Sequence, residues 1–145
     1  MEYLTLDLQI ALYCVFAQVL LTFYAVIRMG VARLRAVTRK EVRLGEIALS
    51  SEPYPEEAKK HANNLSNQFE MPTLMYVAVI LAAIFDASSM PFALALIAFV
   101  VTRFLHRFIH VTTNDVRNRF SAYLAGIVAL LVAWLFLGLG FLGIM

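Results

Sequence analysis

Four apolar stretches alternate with polar connections along this chain. The first, over residues 8–27, can alone cross a bilayer core of about 30 Å, which takes roughly 20 residues of helix. Backbone amides must be paired inside hydrocarbon, and no stretch alternates as a strand would, so each is predicted to be a helix. A polar loop over residues 29–65 joins the first two. The predicted spans cover residues 8–28, 66–86, 91–110 and 119–142.

The second and third spans reach full length only if they include polar residues. The apolar run over residues 71–85 is short, so its helix must begin earlier. The run over residues 91–101 is also short, so its helix must continue past the last apolar residue. Both helices therefore carry polar side chains into the membrane rim, namely Asn67, Glu70, Arg103, His106 and His110.

Composition agrees with a membrane protein. Hydrophobic residues make up 61% of the 145 residues and charged residues 15%, whereas soluble domains have about 45–50% and about 25%. The chain is long enough for one compact unit, so residues 1–145 are predicted to form a single all-α, four-helix membrane bundle. The net charge of +2 is too small to indicate a nucleic-acid partner.

The basic residues predict the orientation of this bundle. All twelve lysines and arginines lie within residues 28–60 or 103–119, and four spans place these two segments on the same side. Cytoplasmic loops carry the excess of basic residues in membrane proteins. We therefore expect a multi-pass membrane protein with both termini outside the cytoplasm.

Polar side chains at the basic end share helix faces. At 3.6 residues per turn, Arg103, His106 and His110 lie on one side of the third span, and Asn67 and Glu70 on one side of the second. The two spans are antiparallel neighbours, so Glu70 is predicted to pair with Arg103 or with a neighbouring base at the same depth, His106 or Arg107. The result is a net basic pocket suited to an anionic ligand. The alternative is structural, with arginines that reach lipid head groups and a Glu70–Arg103 clamp.

Three further patterns occur in the spans. His106 and His110 have the i,i+4 spacing of metal ligands, but no further ligand pattern completes a site, so no metal is predicted. Gln18 and Thr22 in the first span are expected to form hydrogen bonds between helices. Small residues form a stripe on the fourth span that is typical of a packing or oligomer face, at Ala122, Gly126, Ala129 and Ala133.

Several of these residues also resemble a known family. Asn67, Glu70 and Pro72 are followed by an Arg-x-x-His element at residues 103–106, then by His110, Arg119 and Tyr123. This order resembles the MAPEG superfamily, the membrane-associated proteins in eicosanoid and glutathione metabolism, in a bacterial-type member. The resemblance covers the second to fourth spans, and span count and length agree over the whole chain.

The resemblance implies a homotrimer that binds glutathione, as co-substrate, between neighbouring subunits at the cytoplasmic side. Asn67 and Glu70 would hold polar groups of the peptide, and Arg103 would hold a carboxylate. Arg119 would face the thiol and favour the thiolate, with Tyr123 beside it. Asn63 and His110 stand where relatives often carry arginine and tyrosine. The remaining glutathione-binding candidates are His106, His110 and Arg28.

Three functions follow from these patterns. The preferred one is a glutathione-dependent transferase or peroxidase that acts on hydrophobic electrophiles or lipid hydroperoxides entering from the bilayer. The alternative is a non-catalytic member of the same family that binds lipid or serves as a membrane scaffold. The third is a structural bundle whose arginines only anchor it to anionic lipid.

Overall fold

The computed structural model describes residues 4–144, and within them the chain forms five α-helices and no strand. Their bounds are α1 Leu6–Thr38, α2 Glu56–Ser66, α3 Met71–Ile84, α4 Met90–Val111 and α5 Val116–Phe141.

Four segments are long and apolar enough to cross a membrane. They are Leu6–Thr38, Glu56–Ile84, Met90–Val111 and Val116–Phe141, and the second combines α2 with α3. The predicted all-α, four-helix membrane fold is therefore confirmed. Many large apolar side chains, including Phe16, Phe23 and Leu131, are exposed on the chain's surface. Lipid or neighbouring protein must cover such a surface, because water would not tolerate it.

The polar connection between the first two spans is more ordered than a loop. Helix α1 continues past its apolar run to Thr38, and α2 occupies residues 56–66. These two helices pack against each other, with Ala32 and Ala36 buried on α1 and Ala58 buried on α2. The membrane boundaries of the four spans remain a prediction.

The second span is broken between α2 and α3, where a continuous helix was expected. Pro72 has no N–H, and its ring would clash with the carbonyl of Gln68 in an unbroken helix. The break spans residues 67–70, and short-range bonds tighten it: Gln68 N–H donates to Leu65 O at 2.9 Å and Phe69 N–H to Ser66 O at 2.9 Å. Asn67 and Glu70 therefore lie on a bend between two helices.

The first and last described residues of the chain lie at the same end of the bundle. Thr5 Oγ1 lies 3.4 Å from Ser88 Oγ in the α3–α4 turn. The rings of Phe85 and Phe141 meet edge to face, with centroids 5.2 Å apart. The chain termini themselves lie outside the described residues. Because α1 leads away from this end, the basic segments lie at the other end, which we call the basic end.

The small-residue stripe packs within the chain. Gly126 and Ala133 are buried, and a Cβ on Gly126 would lie 2.8 Å from Thr102 Oγ1 of α4. Helices α4 and α5 thus approach closely because Gly126 has no side chain. At Gly126 the stripe is therefore a packing face between these two helices, whereas Ala122 and Ala129 are half-buried.

Candidate functional site

A cleft of about 490 Å³ opens at the basic end between the 63–70 region, α4 and the start of α5. It collects polar side chains from three separate parts of the sequence, with two apolar side chains near the mouth. The lining residues are Asn63, Ser66, Asn67, Glu70, His106, His110, Val116, Arg119, Phe120 and Tyr123. Six of the eight predicted site residues line this cleft, and Arg103 and Arg28 do not.

Two histidines and a tyrosine form the inner wall. The rings of His106 and His110 are 5.7 Å apart between centroids and inclined at 72°, and His106 lies 5.9 Å from the ring of Tyr123. Both histidines are buried, and the Nδ1 atom of each has no hydrogen-bond partner among the described residues. Both Nδ1 atoms are themselves buried, so a molecule in the cleft would meet other atoms of the two rings.

Arg119 supplies the positive charge of the cleft. It lies in the first turn of α5, which begins where the Asp115 side chain accepts a hydrogen bond from Asn118 N–H at 3.0 Å. Its Nη1 donates to Asn114 Oδ1 at 2.6 Å. Asn114 has a positive φ of 51°, a conformation that asparagine tolerates better than most residues. The turn before α5 thus fixes one side of the guanidinium and leaves its other donors free.

Arg103 lies behind the cleft and does not line it. Its side chain is fully buried, and Nη2 donates to the backbone carbonyl of Asn67 at 2.7 Å. The predicted ion pair with Glu70 is wrong, because no ion pair within residues 4–144 includes Glu70. The physical reason is the helix break, which exposes Glu70 and offers Arg103 the carbonyl of Asn67.

A network of buried polar side chains also supports the bend between α2 and α3. Arg107 donates to Asn64 Oδ1 and stacks on the ring of Tyr24, with its guanidinium carbon 4.6 Å from the ring centroid. Gln68 receives a hydrogen bond from Gln18 Nε2 at 2.9 Å. The network therefore links α1, α2 and α4 directly behind Asn67.

Several of these supporting residues were not predicted from the sequence. Asn64 and Gln68 have the i,i+4 spacing of one helix face, which could have identified them as a pair. Asn114 lies in the short polar link before α5, where nothing in the sequence indicates a partnership with Arg119. Arg28 is half-buried on α1 and does not line the cleft.

The cleft presents both signs of charge to an open space. Arg119 can bind an anion, and the exposed carboxylate of Glu70 can bind an ammonium group. The amide of Asn67 and the hydroxyl of Tyr123 can donate or accept hydrogen bonds. Within residues 4–144, no cluster of three or more His, Cys, Asp or Glu side chains has the arrangement of a metal site. Together these charged and hydrogen-bonding side chains suit a small zwitterionic molecule.

Comparison with known proteins bears on the whole chain. The sequence model of the MAPEG family matches residues 11–139. The comparisons with curated proteins and with solved structures gave no match. Because the matched residues make up nearly the whole chain, the protein belongs to the MAPEG family.

Proposed function

We propose that the protein is a glutathione-dependent membrane transferase or peroxidase that acts on hydrophobic electrophiles or lipid hydroperoxides. The observation that carries this proposal is Arg119, which reaches the cleft beside Tyr123 and is fixed by Asn114. A guanidinium beside a thiol stabilises the thiolate, which is the nucleophile. In a transfer reaction, the thiolate sulfur would bond to carbon while the leaving group departs with its electron pair.

The remaining polar groups match the ends of glutathione. The tripeptide carries two carboxylates and one ammonium group, and the cleft offers groups of both signs. Glu70 would bind the ammonium, and Asn67 would hold peptide groups by hydrogen bonds. His106 and His110 would contact the peptide through the ring atoms that line the cleft. Arg103 would act by holding the Asn67 carbonyl in place rather than by touching the peptide.

Assembly and orientation belong to the same proposal. A homotrimer would bring a neighbouring subunit's side chains to the open side of the cleft, where Arg28 of that subunit is a candidate. The second substrate would enter from the bilayer. We propose that the basic end faces the cytoplasm of a bacterium, where reduced thiols are abundant.

A second function is favoured by one observation. Asn63 lines the cleft where a catalytic relative would often place an arginine, so the cleft has one cationic anchor fewer. Val116 and Phe120 add apolar surface beside it. A non-catalytic member that binds a lipid or another membrane protein would need no thiolate, and Arg119 would then only bind a head group.

Turnover of a test electrophile distinguishes the two functions. Arg119→Leu should abolish glutathione-dependent turnover by detergent-purified protein without changing its helix content. Arg117→Leu is the matched control, because Arg117 is exposed on the same turn of α5 and does not line the cleft. Equal losses in both variants would contradict the proposed role of Arg119.

A further inference from the structure

Arg33, which lies outside the lining of the cleft described above, has no acceptor for its charge among residues 4–144. Arg33 of α1 is half-buried and stacks on Tyr54, with its guanidinium carbon 5.0 Å from the ring centroid. Its Nε atom is buried and has no hydrogen-bond partner, and no ion pair among residues 4–144 includes it. A partly desolvated guanidinium in this state is stabilised by an anion.

The space beside Arg33 has the composition of an amphiphile site. A cleft of about 230 Å³ lies against its side chain, and the wall combines hydroxyl groups with aliphatic side chains. The lining residues are Arg33, Ile47, Leu49, Ser50, Ser51 and Tyr54. Nearby carboxylates have partners of their own, because Glu52 pairs with Lys59 at 3.6 Å and Glu46 accepts from Arg43 N–H at 3.2 Å.

The second cleft lies close to the lipid head-group layer. Arg33 comes six residues after Ile27, the last residue of the apolar run. At about 1.5 Å per residue this places its Cα roughly 9 Å beyond that run, just outside a head-group layer about 5–8 Å deep, and a helical side chain leans toward the helix N-terminus, which here means back toward the membrane. Leu44 and Leu49 of the same connection are exposed to solvent, and at this depth they can enter the membrane interface.

We propose that this second cleft binds the phosphate of an anionic phospholipid from the leaflet at the basic end. The guanidinium fork of Arg33 takes two phosphate oxygens, an arrangement that its planar donors fit. The hydroxyl of Ser51 donates a further hydrogen bond, and an acyl chain lies along Leu49. A soluble phosphate ester has the same anionic group, but it has no acyl chain to contact the exposed Leu44 and Leu49.

The experiment counts lipid adducts on the full-length protein in detergent by native mass spectrometry. Wild-type protein should retain phosphatidylglycerol in preference to phosphatidylcholine of equal chain length. Arg33→Gln should weaken phosphatidylglycerol binding roughly tenfold, the usual scale for a lost charge-assisted hydrogen bond. Arg35→Gln is the matched control, because Arg35 is exposed on the same helix and does not line this cleft. Like Arg33→Gln, the Arg35→Gln change removes one positive charge from the basic end.

Ser51→Ala keeps the result interpretable if Arg33→Gln misfolds. It removes only a hydroxyl from an exposed residue and should weaken phosphatidylglycerol binding about threefold, less than the loss of the guanidinium. Equal effects of Arg33→Gln and Arg35→Gln would overturn the proposal, since diffuse attraction would then explain lipid retention. Displacement of the lipid by millimolar inorganic phosphate would overturn the lipid as the source of the anion.

Discussion

Arg103 Nη2 donates a hydrogen bond to the carbonyl oxygen of Asn67 at 2.7 Å, and so joins α4 to the bend between α2 and α3. The bend exists because Pro72 prevents a continuous helix, which leaves backbone groups of residues 67–70 outside the regular helix pattern. A buried guanidinium satisfies one of these groups. The same bend places Asn67 and Glu70 at the edge of the main cleft.

This relationship predicts which variants destabilise the protein. Arg103→Leu should lower the free energy of unfolding by about 1–3 kcal/mol, because the Asn67 carbonyl is then left without its donor. Glu70→Gln should change it by less than about 0.5 kcal/mol, because Glu70 is exposed and pairs with no base among residues 4–144. Thermal unfolding in detergent measures both. Strong destabilisation by Glu70→Gln that is not additive with Arg103→Leu would mean that the two side chains interact.

The contact between α4 and α5 predicts a second effect on stability. Gly126→Ala places a methyl group 2.8 Å from Thr102 Oγ1, so either the helices separate or the Thr102 hydroxyl loses its hydrogen bond to Phe99 O, at a cost of about 1–3 kcal/mol. Gly138→Ala is the control, since its Cβ would meet nothing within 4 Å. Replacing this helical glycine with alanine should be neutral or stabilising. Equal melting temperatures for the two variants would show that Gly126 does not set the helix distance.

The distribution of basic residues predicts the topology. Single cysteines introduced into a Cys14→Ala background should react with an impermeant reagent from outside intact cells at position 88. They should not react at positions 39 and 115, which lie at the basic end. Labelling of position 39 from outside would reverse the proposed orientation.

The sequence predicted the helices because their signal is simple. Uninterrupted apolar runs identify the spans, and the i,i+4 spacing of His106 and His110 placed both rings on one wall of the cleft. Gln18 was expected to bond to another helix, and it donates instead to Gln68 in the bend between α2 and α3. Thr22 instead donates to the carbonyl of Gln18 within α1 at 3.0 Å.

Other features depend on three-dimensional detail that spacing does not contain. The helix break before Pro72 leaves Glu70 exposed on the bend. The similar depths of Glu70 and Arg103 along their helices therefore predicted an ion pair that does not form. The contact of Asn114 with Arg119 depends on a left-handed turn residue, and the buried polar network depends on how three helices meet. Each is decided by backbone geometry over a few residues.

Thiolate absorbance of glutathione bound to the purified protein, followed against pH, tests the central claim most directly. A free thiol has a pKa of about 8.5, so only a few per cent is ionised at neutral pH. Wild-type protein should hold a clear excess of thiolate at neutral pH, Arg117→Leu should retain it, and Arg119→Leu should lose it. Absence of both binding and thiolate at millimolar glutathione would contradict the enzyme function and leave the lipid-binding function in its place.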